Sequence, residues 1–318
     1  MAANIRLSEP NDGANAWTNR RELVVKTFLK YQPEIIACQE VSPAQGAYLN
    51  KELARWYAYY PRAGVGKAAA TESGGQSGRG GGARAELLGM LSQTVASLNT
   101  LYYRTDRFEI LDGEAGLVLP EEPQANPTEN TYFSMAVLKE KGTGRTLIVV
   151  DVHFRHGVAF SVRCAERIRE KLAAWERAYP GAGAVVLGDM NHDRTSKLYA
   201  TLAQGPRDAT QASGGRGAEN GPALRDAFDY ARKPAGGLWG TYHQFTGTPL
   251  AEWPTDLIFF SDALSVASGG HTSIVRDTAS LPAGEGGSAG PSGKPAKLWP
   301  SDHFFVVAEL EWSLDRQP

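Results

Sequence analysis

Five apolar, strand-like runs in this chain each abut a short polar cluster, and that placement of charge constrains what the chain can fold into. Ile35-Ile36-Ala37-Cys38 runs into Gln39-Glu40, Leu147-Ile148-Val149-Val150 into Asp151-Val152-His153, and Ala184-Val185-Val186-Leu187 into Gly188-Asp189-Met190-Asn191. Asp256 opens Leu257-Ile258-Phe259-Phe260, and Ser301-Asp302-His303 opens Phe304-Phe305-Val306-Val307. Three clusters therefore sit at C-terminal strand ends and two at N-terminal ends. Neighbouring strands of an antiparallel sheet point opposite ways, so both kinds of end can meet on one rim. Carboxylates, an amide and imidazoles gathered there suit a hard divalent cation and a phosphate ester.

The bulk numbers set looser bounds. A chain of 318 residues is long enough for one large α/β domain or two small ones and buries a sizeable core. A formal net charge of -2 carries no polybasic signature, which weighs against a dedicated duplex-DNA binder. Cys38 and Cys164 read as two buried thiols, with neither zinc spacing nor a disulfide framework. No apolar run approaches the ~20 residues that span a bilayer. A signal-peptide pattern is absent, which leaves localisation open between cytoplasmic and secreted with a leader missing from this chain. No coiled-coil or interface signal fixes the oligomeric state.

Along the chain, Asn4 to Leu7 reads as a short extended start and Asn11-Asp12-Gly13 as a turn. A helix is predicted from about Thr18 to Tyr31, with Val24, Phe28 and Tyr31 on one face and Pro33 beyond its end. A second covers Ala44 to about Arg55. Thr131 to Lys139 and Thr146 to Phe154 form an antiparallel pair across Lys141-Gly142-Thr143-Gly144. Ser161 to Arg177 is the clearest helix, with Ala165, Ile168, Leu172 and Trp175 at helical spacing. Gly-rich stretches near 62–86, 211–222 and 282–298 read as insertions in a single domain spanning 1–318. The first carries Arg62, Lys67, Arg79 and Arg84, either solvated charge or a flap reaching an anionic substrate.

The ordered motifs Asn4-Ile5-Arg6, Gln39-Glu40-Val41, Tyr102-Tyr103-Arg104, Asp151-Val152-His153, Gly188-Asp189-Met190-Asn191, Thr255-Asp256-Leu257-Ile258-Phe259 and Pro300-Ser301-Asp302-His303 together resemble the endonuclease/exonuclease/phosphatase superfamily. Asp12-Gly13 through Trp17 to Arg20-Arg21, and Gly240-Thr241-Tyr242-His243, resemble its bacterial branch more than its DNA-repair branch. The resemblance implies a four-layered α/β sandwich, two packed, mostly antiparallel sheets flanked by helices. It also implies a metal-dependent phosphoesterase using Mg²⁺ or Mn²⁺.

By that resemblance, Glu40 and Asp302 hold the metal, with Asn4 beside it. Asp189 positions and deprotonates the attacking water, and Asn191 orients Asp189 or holds a phosphate oxygen. Asp256 fixes His303, which then supports the charge growing on phosphorus. His153 donates to a non-bridging phosphate oxygen. Tyr103, Asp151 and His243 are expected to face substrate. Two departures stand out: most members carry an asparagine where this chain has Asp151, and Ser97 occupies a place that several nucleases fill with an acid.

The substrate expected is a small phosphodiester or phosphomonoester rather than a nucleic acid. A nuclease is the alternative within this chemistry. A non-hydrolytic binding protein, or a member acting on a non-phosphate substrate, is the alternative outside it.

Overall fold

A computed structural model describes residues 1–61, 99–124, 129–203, 221–231, 238–268, 270–280 and 297–313. Nearly all of each Gly-rich stretch, the four basic residues of the first, and Ser97 lie outside the described residues.

The strands are β1 (Ala2–Asn4), β2 (Ile35–Gln39), β3 (Tyr57–Tyr60), β4 (Asn99–Arg104), β5 (Phe108–Leu117), β6 (Tyr132–Glu140), β7 (Thr146–His153), β8 (Gly183–Asp189), β9 (Leu224–Asp226) and β10 (Asp256–Ser261). They continue with β11 (Leu264–Val266), β12 (Thr272–Val275), β13 (Ala279–Ser280), β14 (Lys297–Leu298), β15 (Phe305–Ala308) and β16 (Leu310–Trp312). Two six-stranded sheets result, ordered β12-β15-β1-β2-β4-β3 and β5-β6-β7-β8-β10-β9. Each is mixed. β1–β2 is the one parallel pair of the first, and β7–β8 that of the second. A parallel pair needs a crossover, and the helices supply it: α1 (Trp17–Tyr31) lies between β1 and β2, and α3 (Val158–Ala178) between β7 and β8. α2 is Pro43–Leu53 and α4 is Lys197–Ala203.

Strand alternation assigns the layers. Along β2, Ile36 and Cys38 join a cluster with Val24 and Phe28 of α1 and Leu49 and Leu53 of α2, while Ala37 joins the core between the sheets. β4 splits the same way, with Tyr102 facing the helices and Leu101 and Tyr103 facing the second sheet. Period-2 geometry then turns Gln39 and Asn99 inward as well. Across the outer face of the second sheet, α3 lays Val162, Ala165, Ile168 and Leu172.

Local signals account for the helix ends. Ser42 and Gln45 cap α2 reciprocally, with Pro43 in its first turn. α1 stops where Gln32 turns left-handed at φ 44°, just before Pro33. Two predictions needed adjusting. Tyr31, expected on one face with Val24 and Phe28, is the last residue of α1 and is 38% exposed. β1 pairs only over Ala2–Asn4, since Arg6 adopts φ 58° and turns the chain away.

Candidate active site

The register of the second sheet fixes the first group of side chains. His153, Asp189 and Asp256 are directly paired across β7, β8 and β10. Asp189 is therefore flanked by a histidine on one side and a carboxylate on the other. Gly188 makes this close pairing possible. At φ 142°, a Cβ there would lie 2.0 Å from the Val152 carbonyl oxygen, a contact only glycine avoids.

The first sheet supplies the second group from loops at its strand ends. Asn4 closes β1, and Glu40 follows β2 in a left-handed conformation at φ 60°. Asn191 is also left-handed, at φ 49°. These are sparsely populated conformations for residues with a Cβ, and both fall at the site. Asp302 and His303 arrive just before β15.

Hydrogen bonds join the two groups. Asn4 Nδ2 donates to Glu40 Oε1 at 3.1 Å and to Asp189 Oδ2 at 3.0 Å. Its own oxygen accepts from the Arg6 N–H at 3.0 Å. Asn4 thus bridges the carboxylates with its amide hydrogens, leaving Glu40 and Asp302 as the first-sheet carboxylates for a cation. Asp189 Oδ1 accepts from Asn191 N at 2.9 Å. Asn191 Nδ2 donates to the Phe154 carbonyl at 2.8 Å and meets His153 Nε2 at 2.9 Å. That contact makes His153 Nε2 an acceptor, so the proton of the neutral ring sits on Nδ1. His303 Nδ1 bonds Asp256 Oδ2 at 2.8 Å, and its Nε2 lies 3.8 Å from Asp189 Oδ2.

The two imidazoles are driven apart in protonation. Burial opposes charge on both. For His153 burial prevails over the pull of Asp189 and lowers the ring to about 4. For His303 the fields of Asp256 and Asp189 overcome burial and raise it well above the ordinary value. One site thus holds a neutral and a charged imidazole. Glu40 is also buried, yet the Leu7 N–H, the Asn4 amide and the charged His303 act to lower it. Burial raises Asp302, with Glu40 adding to the effect and His303 opposing it. Burial and the Asp256 charge raise Asp189.

Among the described residues, Asp189, Asp256 and His303 place ligand atoms within 4.8 Å of one another, a possible metal cluster. The Asp256–His303 bond argues for a proton as the cation there. A hard divalent ion prefers an all-oxygen set, and the ionised Glu40 beside Asp302 offers one. The donor chemistry on that side fits Mg²⁺ or Mn²⁺.

Three expected substrate contacts lie elsewhere. Tyr103 is paired with Ile35 at the end of β4 away from Asn99 and packs in the core. Asp151 is fully buried between the sheets, its Oδ1 accepting from Gln39 Nε2 at 2.7 Å and Asn99 Nδ2 at 3.0 Å. His243 is sealed against Phe304, ring centroids 3.9 Å apart, and its backbone N–H donates to the Asp302 carbonyl at 2.8 Å. Its neighbour Tyr242 is the aromatic that reaches the site, 4.9 Å from the His303 ring.

Two arginines with no role in the sequence reading complete the rim. Arg20, fully buried on α1, donates to the carbonyls of Ile5, Arg6, Leu7, Asn15 and Pro300. It stitches the segment after β1 to the loop that carries Asp302. The signal was its place in Trp17-to-Arg21, a segment quoted above only for its likeness. Arg6 sits 3.3 Å from Asp12 and 3.8 Å from Asp302.

Solved structures share this architecture. An endonuclease/exonuclease/phosphatase family protein from Bacteroides thetaiotaomicron superposes with a TM-score of 0.69 at 22% identity, over 98% of this chain and 97% of that one. A mannosyl-6-phosphatase from Bacteroides thetaiotaomicron VPI-5482 gives 0.69 at 21%, over 98% of each chain. Truncated TDP2 from Caenorhabditis elegans gives 0.59 at 14%, over 98% of this chain and 96% of that one. No curated protein matches the chain by sequence. Members of the family are phosphoesterases and nucleases that generally use divalent metals. No helix among the described residues is long and apolar enough to cross a membrane. The family model for endonuclease/exonuclease/phosphatase proteins matches residues 1–303, and the chain belongs to that family.

Proposed function

We propose that this protein is a divalent-metal-dependent hydrolase of small phosphate esters, acting through a water that attacks phosphorus in line. The observation that carries the reading is Asp189 flanked by a neutral His153 and by a charged His303 fixed on Asp256. Asp189, oriented by Asn4 and the Asn191 amide, takes the proton of the attacking water, and its raised pKa suits a base. His303 faces the negative charge that develops on the phosphoryl oxygens, where a preorganised cation contributes most. Asn191 and His153 border the same side, with the Asn191 side-chain amide bonded to His153 and the Phe154 carbonyl, so Asn191 acts by orienting Asp189. Glu40 and Asp302 would hold Mg²⁺ or Mn²⁺, which when bound supplies Lewis acidity and a template for the ester. The leaving oxygen draws its proton from solvent.

A net charge of -2 and the likeness to a mannosyl-6-phosphatase favour a small mono- or diester. The likeness to TDP2 supports a nuclease as the second reading. Hydrolysis of p-nitrophenyl phosphate and bis(p-nitrophenyl) phosphate with Mg²⁺, Mn²⁺ or EDTA tests both. Metal-dependent turnover that disappears in Asp189→Ala and His303→Ala is expected. Turnover that survives in either variant sinks the assignment of roles, and metal-independent turnover sinks the metal requirement. A single-stranded oligonucleotide cleaved in preference to both esters would favour the nuclease.

A further inference from the structure

Between the sheets, directly beneath the site, two buried polar atoms have no hydrogen-bond partner among the described residues: Gln39 Oε1 and Asp151 Oδ2. They belong to side chains already joined at 2.7 Å through Gln39 Nε2 and Asp151 Oδ1. As a carboxylate, Asp151 offers only acceptors, and both orphans remain. The rest of the cluster is fully used. Gln39 Nε2 gives its second hydrogen to the Ala37 carbonyl at 3.1 Å, and Asp151 Oδ1 accepts a second bond from Asn99 at 3.0 Å. One added proton resolves what is left, because a hydroxyl at Oδ2 donates and Gln39 Oε1 accepts.

We infer that Asp151 is a neutral carboxylic acid that forms a cyclic acid–amide pair with Gln39, a proton-held tie between β2 of one sheet and β7 of the other. The surroundings agree. β2 presents Gln39, and the Cys38 thiol on its other face is kept neutral by burial. β4 presents Asn99, and β6 pairs Ser134 with Asp151, its hydroxyl donating to the Asn99 carbonyl at 2.6 Å. β8 pairs Leu187 with Asp151 and leaves Gly188 bare, where a Cβ would lie 3.1 Å from Gln39 Nε2. None of these groups carries a charge. Burial lifts Asp151 to about 8, even though the Gln39 and Asn99 amides pull the other way. An isolated buried carboxylate costs far more than a neutral acid that is fully hydrogen-bonded.

The tie acts through its neighbours, which makes Asp151 a positioning residue. Gln39 directly precedes Glu40, and Asp151 precedes His153 by two residues on the same face of β7. The pair therefore sets the separation of the two rims. It stands whether or not the site hydrolyses an ester, so its test needs no substrate.

Asp151→Asn is the probe, since an amide presents the same acceptor and a donor in place of the hydroxyl. In the metal-free protein, Tm of this variant is compared with wild type from pH 4 to 9. Folded wild type keeps a proton that the unfolded chain releases between the ordinary 3.8 and about 8. Wild-type stability therefore declines with rising pH across that window, and the variant does not share the decline. The expected result is a Tm difference that grows in the variant's favour up to about pH 8 and then levels off. An infrared band of a protonated carboxyl at neutral pH, missing from the variant, is the second expected result. A pH-independent Tm difference, identical carboxyl bands, or a variant that does not fold would each overturn the inference.

Discussion

The two rims that meet at the site hold their functional groups by different means. The second sheet fixes His153, Asp189 and Asp256 by strand pairing, in three adjacent strands with no irregularity between them. The first sheet presents Glu40, Asp302 and His303 from positions outside its ladder, steadied by Arg20 and by Asn4. Ladder hydrogen bonds leave little freedom to a side chain's base. A residue one step past a strand end depends on side-chain scaffolding. The proposed water-activating group thus sits on the stiffer rim, and the proposed metal carboxylates on the rim that can adjust to an ion.

Four measurements would break or sharpen that contrast. The largest effect is expected from Asp189→Asn, which removes the base and leaves the ladder in place. We expect kcat to fall ~10³-fold, about 4 kcal/mol of barrier, with unchanged circular dichroism. A drop below tenfold would move the base elsewhere. Next, Arg20→Met removes five donated bonds and leaves the carbonyls of Ile5, Leu7, Asn15 and Pro300 without that donor, while Arg6 keeps Gln45; it should cost about 4 kcal/mol in urea unfolding. Hydrogen exchange should show lost protection in β1 and near Asp302 while β7, β8 and β10 keep theirs. Uniform loss would mean that the rims are not separately supported.

Third comes the neutral His153. Its ring, lowered from the ordinary 6.5 to about 4, makes the unfolded chain the better proton acceptor between those values. Its contribution is fully present above pH 6.5 and is lost as pH falls toward 4, with a ceiling of about 3 kcal/mol. His153→Gln should flatten this acid limb of the Tm–pH curve in EDTA; an unchanged limb assigns it to other groups. Smallest is Glu40→Gln, expected to weaken Mn²⁺ binding ~10- to 100-fold, about 1.4 to 2.7 kcal/mol by titration calorimetry. Equal affinity in the variant would shift the ion to the Asp189, Asp256 and His303 cluster.

Much of this arrangement was legible in the sequence because a polar residue ending an apolar run has to lie at a rim. Glu40, His153, Asp189, Asp256 and His303 were located that way, and the four-layered sandwich followed from the ordered motifs. What stayed hidden depends on depth and on backbone partners. Asp151 and Tyr103 face the opposite sheet as the site residues of their layer do, but Asp151 lies one step further from the rim than His153 and Tyr103 lies at the far end of β4, and a sequence does not say how deep a site reaches. His243 and Tyr242 are neighbours, yet one is sealed and the other reaches the site, a difference set by the His303 bridge. Arg20 reads as one more polar residue in Thr18-Asn19-Arg20-Arg21, since its partners are backbone carbonyls that carry no sequence signature. The parallel pairs were also hidden, because strand composition does not distinguish a parallel neighbour from an antiparallel one.

β1 lies between β2 and β15, with Ala2 paired to both Ala37 and Val306. During synthesis, β1 waits for its neighbour β15 until Phe305–Ala308 have left the ribosome. His303 reaches Asp256 and Asp189 at the same late moment, and the Arg20 stitch to Pro300 closes with it. A nascent chain therefore carries Asp189 without the imidazolium beside it from residue 189 until residue 303 is made. A chain that stopped short of residue 303 would lack the Asp256–His303 pair altogether.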